Sequence, residues 1–220
     1  MKFFAVRPQK ARRRKAAKVA LYTVAFSKEE LRLHDSSFGG FCKTDCEYSS
    51  NCNEECNAKG EYGRLLFIWN HAGYLIRNFR NWQHKLNSDR YGHISIPKAI
   101  IRHKVLLSAV ESSLLNDDLS EVFEPLYRNP DGRVFHPESK YKLKVKTSEY
   151  ENWIRIYAVR YKDEDTGVEN YIITGGAIKL VGKMSENAVI EYEERKQESV
   201  IKYLIDEEIT TRDKIETLIF

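Results

Sequence analysis

Four lysines at alternate positions, Lys140, Lys142, Lys144 and Lys146 in the run KYKLKVK, are the residues whose type and spacing first suggest chemistry. A period of two puts them on one side of a strand, with Tyr141, Leu143 and Val145 on the other. Clustered ammonium groups depress one another's pKa, so one can act as a base near neutrality while its neighbours and Arg155 hold a phosphate. RNA cleavage by its own 2′-hydroxyl needs a deprotonated nucleophile, a stabilised phosphorane and a protonated 5′-oxygen; this cluster meets those needs without requiring a metal. The same alternation also serves as the solvated face of an amphipathic strand, or as an edge guarded against aggregation.

A second constellation lies upstream. Cys42, Cys46, Cys52 and Cys56 are all the cysteines of the chain, and they fall within fifteen positions of a polar segment. Four thiolates so close would wrap a tetrahedral structural zinc and so fold a segment with little core of its own. Their three-residue gaps differ from the two-residue gaps of zinc knuckles and suit disulfides equally, which a reducing cytoplasm disfavours.

The elements that must position these groups follow from periodicity. Trp153 to Tyr161 is rich in β-branched and aromatic residues, and Asp165-Thr-Gly167 separates it from an apolar run, Tyr171 to Thr174, that is expected to end at Gly175-Gly176. With the lysine strand these make an antiparallel meander. Leu21 to Phe26 reads as a further strand. Glu61 to Leu86 repeats apolar residues at three- and four-residue steps and reads as a helix whose Trp69 and Phe79 belong to the core stripe. Pro97 opens a second helix through Leu115, which gives a helical hairpin, and Asp117-Asp118 is expected to cap a shorter helix through Tyr127. Ser185 to Ile205 is a terminal helix whose middle, EYEERKQES, is charged on nearly all sides and is expected to be exposed or engaged by a partner. Thr210 to Phe220 suits a last short helix.

YKLKVK followed by WIRIYAVRY resembles the core of the RelE/HigB-like toxins, ribosome-associated mRNA endonucleases of toxin-antitoxin systems. The resemblance spans Ser120 to Leu204. It implies helices before a curved antiparallel sheet, with Lys142, Lys144 and Arg155 as catalytic residues. Lys179 or Lys183 stands where a further basic residue is expected, RNA or the ribosome would be the partner, and an antitoxin protein would cover the site.

Composition bounds the rest. At 220 residues, 42% hydrophobic and 31% charged, the chain can bury one good core or two small ones. No apolar run approaches bilayer length, so the expectation is a cytoplasmic protein without a membrane partner. The formal charge of +4 hides an asymmetry: Arg12, Arg13, Arg14 and Lys15 sit in a basic N-terminal run, while the tail beyond Met184 is acidic. Such a run binds nucleic acid by counterion release, with Lys140, Lys146, Lys179 and Lys183 as further contacts. The expected fold class is α+β: residues 1–60 a basic, cysteine-bearing extension and residues 61–220 a RelE-like domain. The expected function is RNA binding with metal-independent endoribonuclease (hydrolase) activity. The alternatives are a non-catalytic module of the same fold that binds nucleic acid or protein, and a structural assembly protein of a virion or scaffold.

Overall fold

A computed structural model describes residues 1–6, 18–26, 60–70, 73, 75–76, 96–125, 142–145, 154–163, 165–178, 188–209 and 214–215. In chain order these form β1 (Lys2–Ala5), β2 (Val19–Ala25), α1 (Gly60–Asn70), α2 (Ile96–Leu115), β3 (Phe123–Pro125), β4 (Lys142–Val145), β5 (Ile154–Lys162), β6 (Glu169–Ile178) and α3 (Ala188–Asp206). The class is α+β.

One sheet of six strands carries the fold, in the order β1-β2-β6-β5-β4-β3. From β3 to β6 every pairing is antiparallel, matching the expected meander. The sheet as a whole is mixed, because β2 joins β6 in parallel, from Val19 opposite Glu169 to Thr23 opposite Ile173. The parallel pair arises because the N-terminal segment belongs to the same sheet: β1 and β2 form an antiparallel pair on its far side.

Alternation along the strands sorts the core into two layers. Val19, Leu21, Ile156, Ala158, Tyr171 and Ile173 pack with Tyr62, Leu65 and Trp69 of α1 and Leu106 and Val110 of α2. On the other face Tyr22, Val24, Val159 and Ile172 pack with Val200, Ile201 and Leu204 of α3. The sheet is therefore sandwiched between helices and needs apolar residues at both parities, which β2, β5 and β6 supply.

Two expectations about strand and helix ends are corrected. The run from Tyr171 does not stop at Gly175-Gly176; β6 passes through both glycines to Ile178. A β-bulge allows this: Ala158 pairs with Ile173 and Tyr157 with Gly175, leaving Thr174 as the extra residue, its hydroxyl donating to Tyr157 O at 3.3 Å. After the bulge Gly176 lies against Trp69 and Leu65 of α1, whereas Ala177 joins Tyr157 and Ile190 on the α3 side. Nor do Asp117-Asp118 begin a helix through Tyr127. They end α2 and lead through a turn into β3, with Asp118 Oδ1 accepting from Ser120 N at 2.9 Å and Ser120 Oγ at 2.6 Å.

Both long helices end in the same way. At the end of α2, Asp117 takes φ 57°, its N–H reaching Leu114 O at 3.4 Å and that of Asp118 reaching Ser113 O at 3.0 Å. At the end of α3, Glu208 takes φ 50°, its N–H donating to Ile205 O at 3.0 Å and that of Ile209 to Leu204 O at 2.8 Å. These are Schellman closures with an acidic residue where glycine is favoured. Left-handed backbone costs a residue bearing a Cβ about 1–2 kcal/mol. Glu208→Gly is therefore expected to raise stability by about 1 kcal/mol, read as an increased denaturation midpoint at unchanged slope.

Candidate functional site

The two catalytic lysines expected from the sequence lie on β4, Lys142 opposite Val159 and Lys144 opposite Tyr157 of β5. Arg155 is two residues before Tyr157 on β5 and opposite Ala177 of β6. Backbone register thus brings positions 142, 144 and 155 into one alternation set on neighbouring strands. Arg155 itself is only 6% exposed. Lys140, Lys146, Lys179, Lys183, Arg12, Arg13, Arg14 and Lys15 lie outside the described residues, as do Cys42, Cys46, Cys52 and Cys56 with the zinc expected on them.

A second site was not anticipated. β2 pairs with β6 only as far as Thr23; beyond it Val24 and Ala25 pair with Phe3 and Lys2 of β1, while β6 continues along β5. The next described helix after β2 packs on one face and the helix after β6 on the other. Neighbouring parallel strands whose connections leave toward opposite faces open a crevice at their carboxyl ends. In this chain four charged side chains fill it.

Glu61 and Arg64 come from the first turns of α1, Glu193 and Lys196 from α3, and all four are buried. Lys196 Nζ lies 2.9 Å from Glu61 Oε2, 2.8 Å from Glu193 Oε2 and 3.0 Å from Glu193 Oε1. Arg64 Nε donates to the same Glu61 oxygen at 3.1 Å, and Arg64 Nη2 is in contact with it too. The rings of Phe26 and Tyr192 lie 5.6 and 5.5 Å from the ammonium. Space for the carboxylate comes from Gly175: a Cβ there would overlap Glu193 Oε2 and stand 2.5 Å from Lys196 Nζ. Thr23 fixes the start of α1, its Oγ1 accepting from Tyr62 N at 2.8 Å.

The two carboxyls differ in proton affinity. Burial alone would raise Glu61, but the charges of Arg64 and then Lys196 outweigh it and hold the group below its ordinary value. Burial pushes Glu193 up; Lys196 opposes this, and the charge of Glu61 adds to the rise. Tyr192 is likewise pushed above the usual phenol range, by burial and then by Glu193 and Glu61. The arrangement holds two carboxyls of unequal proton affinity around one ammonium, so their titrations are linked.

This corrects the expectation for the middle of the terminal helix. Glu191 and Glu198 are exposed, but Glu193, Lys196 and Gln197 are among the most buried polar residues described. Gln197 Nε2 donates to Ala158 O of β5 at 2.9 Å. The available signal was spacing: Ile190, Glu193, Gln197, Val200 and Leu204 recur at three- and four-residue steps, so the charges continue an apolar stripe. No protein-family model, curated protein or solved structure matches the chain.

Proposed function

We propose that the protein binds RNA, with β4 as the strand that meets the phosphates and the basic run Arg12 to Lys15 as a second point of attachment. The observation that carries this reading is the β4–β5 register, which sets positions 142 and 144 in one alternation set of a strand paired with β5. Two lysines two residues apart span about 7 Å, comparable to the spacing of successive phosphates on an extended strand. The resemblance to RelE-like toxins points to the same polyanion, and an acidic antitoxin-like protein would compete for the same cations. Arg155, 6% exposed, suits bracing of the strand better than direct phosphate contact, so the reading rests on binding rather than on cleavage. No helix among the described residues is long and apolar enough to cross a membrane.

The test is the salt dependence of binding to a labelled single-stranded RNA. Each neutralised phosphate contributes about 0.7 to the log–log slope on a single strand, so Lys142→Ala/Lys144→Ala is expected to flatten it by about 1.4. An unchanged slope would remove β4 from the interface. New 5′ ends produced by the parent and not by the double variant would extend the proposal to endonucleolytic cleavage.

A further inference from the structure

The buried charges at the seam tie together two helices that pack on opposite faces of the sheet. Glu61 Oε2 on α1 is the acceptor for both Lys196 Nζ, at 2.9 Å from α3, and Arg64 Nε, at 3.1 Å from its own helix. Around this oxygen α1 contributes Glu61 and Arg64, α3 contributes Glu193, Lys196 and Tyr192, β6 contributes the uncharged Gly175, and the end of β2 contributes the ring of Phe26. Glu193, the carboxyl of higher proton affinity, takes its proton first, so a proton on Glu61 would then leave Lys196 and Arg64 facing each other in a buried space with no carboxylate of the cluster between them. Buried charge in that imbalance is unfavourable unless the space opens to water. The strand ladders on either side do not depend on these side chains.

We propose that Glu61, Arg64, Glu193 and Lys196 form a proton-operated latch: ionised, they clamp α1 to α3 through the seam between β2 and β6, and protonation of Glu61 releases α1 while the sheet stays paired. Glu61 is held below its ordinary value of 4.5, so the stability it contributes is complete above 4.5 and is lost as the pH falls through its lower folded-state value. Glu193, held above that ordinary value, acts in the opposite sense: the folded chain keeps its proton more tightly than the unfolded chain does.

Trp69 lies on α1, 1% exposed, and would report the release. The test uses the full chain carrying Trp82→Phe and Trp153→Phe, so that Trp69 is the sole tryptophan. Its emission and the far-ultraviolet circular dichroism are followed from neutral pH downward. The expected result is a red shift of Trp69 emission below pH 4.5 that precedes the loss of secondary structure. Glu193→Gln places a neutral amide where Glu193 is already protonated in this range, so it should leave the emission midpoint unchanged. Glu61→Gln should be red-shifted already at neutral pH. Coincident emission and dichroism transitions, or a Glu193→Gln variant whose emission transition is displaced or abolished, would overturn the proposal. The Glu193→Gln result decides the matter even where Glu61→Gln fails to fold.

Discussion

Gly175→Ala is expected to destabilise the protein by about 3–5 kcal/mol, comparable to breaking a buried ion pair, although it adds one methyl group. The added Cβ would overlap Glu193 Oε2 and lie 2.5 Å from Lys196 Nζ, and the backbone there has φ 156°, which residues with a Cβ rarely adopt. Neither partner can retreat cheaply, since Glu193 is 0% exposed and Lys196 1%, both enclosed by α1, α3 and β6. For a chain of this size the loss corresponds to a Tm lower by about 10 °C or more, read by thermal circular dichroism. Gly167→Ala supplies the comparison. It too has positive φ, 70°, but its Cβ would meet only Lys162 Cε at 3.8 Å. Its cost should be confined to backbone strain, about 1–2 kcal/mol. Equal effects of the two substitutions would mean that the close approach of Glu193 to Gly175 has no energetic weight.

Where one physical signal dominated, the sequence was readable. The strands containing Ile154–Lys162 and Val19–Ala25 were legible because β-branched and aromatic residues fill them, and the helix beginning near Glu61 because its apolar residues recur at helical spacing. The parallel pairing of β2 with β6 was not legible, since it joins residues about 150 positions apart and no local pattern specifies it. The bulge was misread for a related reason. Gly175-Gly176 is locally a strand terminator, and only the neighbours it admits, Glu193 on one side and Trp69 on the other, show why glycine stands within the strand.

The charged cluster shows the same limitation most clearly. Taken singly, Glu193 and Lys196 are residues that belong in water, and a helix reading EYEERKQES suggests an exposed face. They are buried because Glu61 and Arg64, more than 120 residues earlier in the chain, supply the opposite charges. By contrast, the lysine strand was found from its own alternation. A strand does form there and pairs with β5, on which Arg155 is buried.

Lys196→Met should be as damaging as the change at Gly175, with a larger gain in stability on acidification. Methionine fills much of the same volume, so the dominant effect at neutral pH is a carboxylate at Glu193 stripped of its ammonium partner, about 3–5 kcal/mol. Glu61 keeps Arg64, bonded at Nε. Glu193, already above its ordinary value of 4.5 with Lys196 present, rises further without it. A carboxyl whose folded-state pKa is raised favours the folded chain as the pH falls from that value toward 4.5. Urea unfolding across this window should therefore show the variant gaining more stability than the parent as the pH falls, while the Glu61 contribution is lost only below 4.5. Combining Lys196→Met with Glu193→Gln removes both charges, and should recover more than half of the loss and abolish the gain on acidification. A double variant no more stable than Lys196→Met alone would mean that the ammonium stabilises the fold mainly through Glu61, across the seam, rather than through its neighbour on α3.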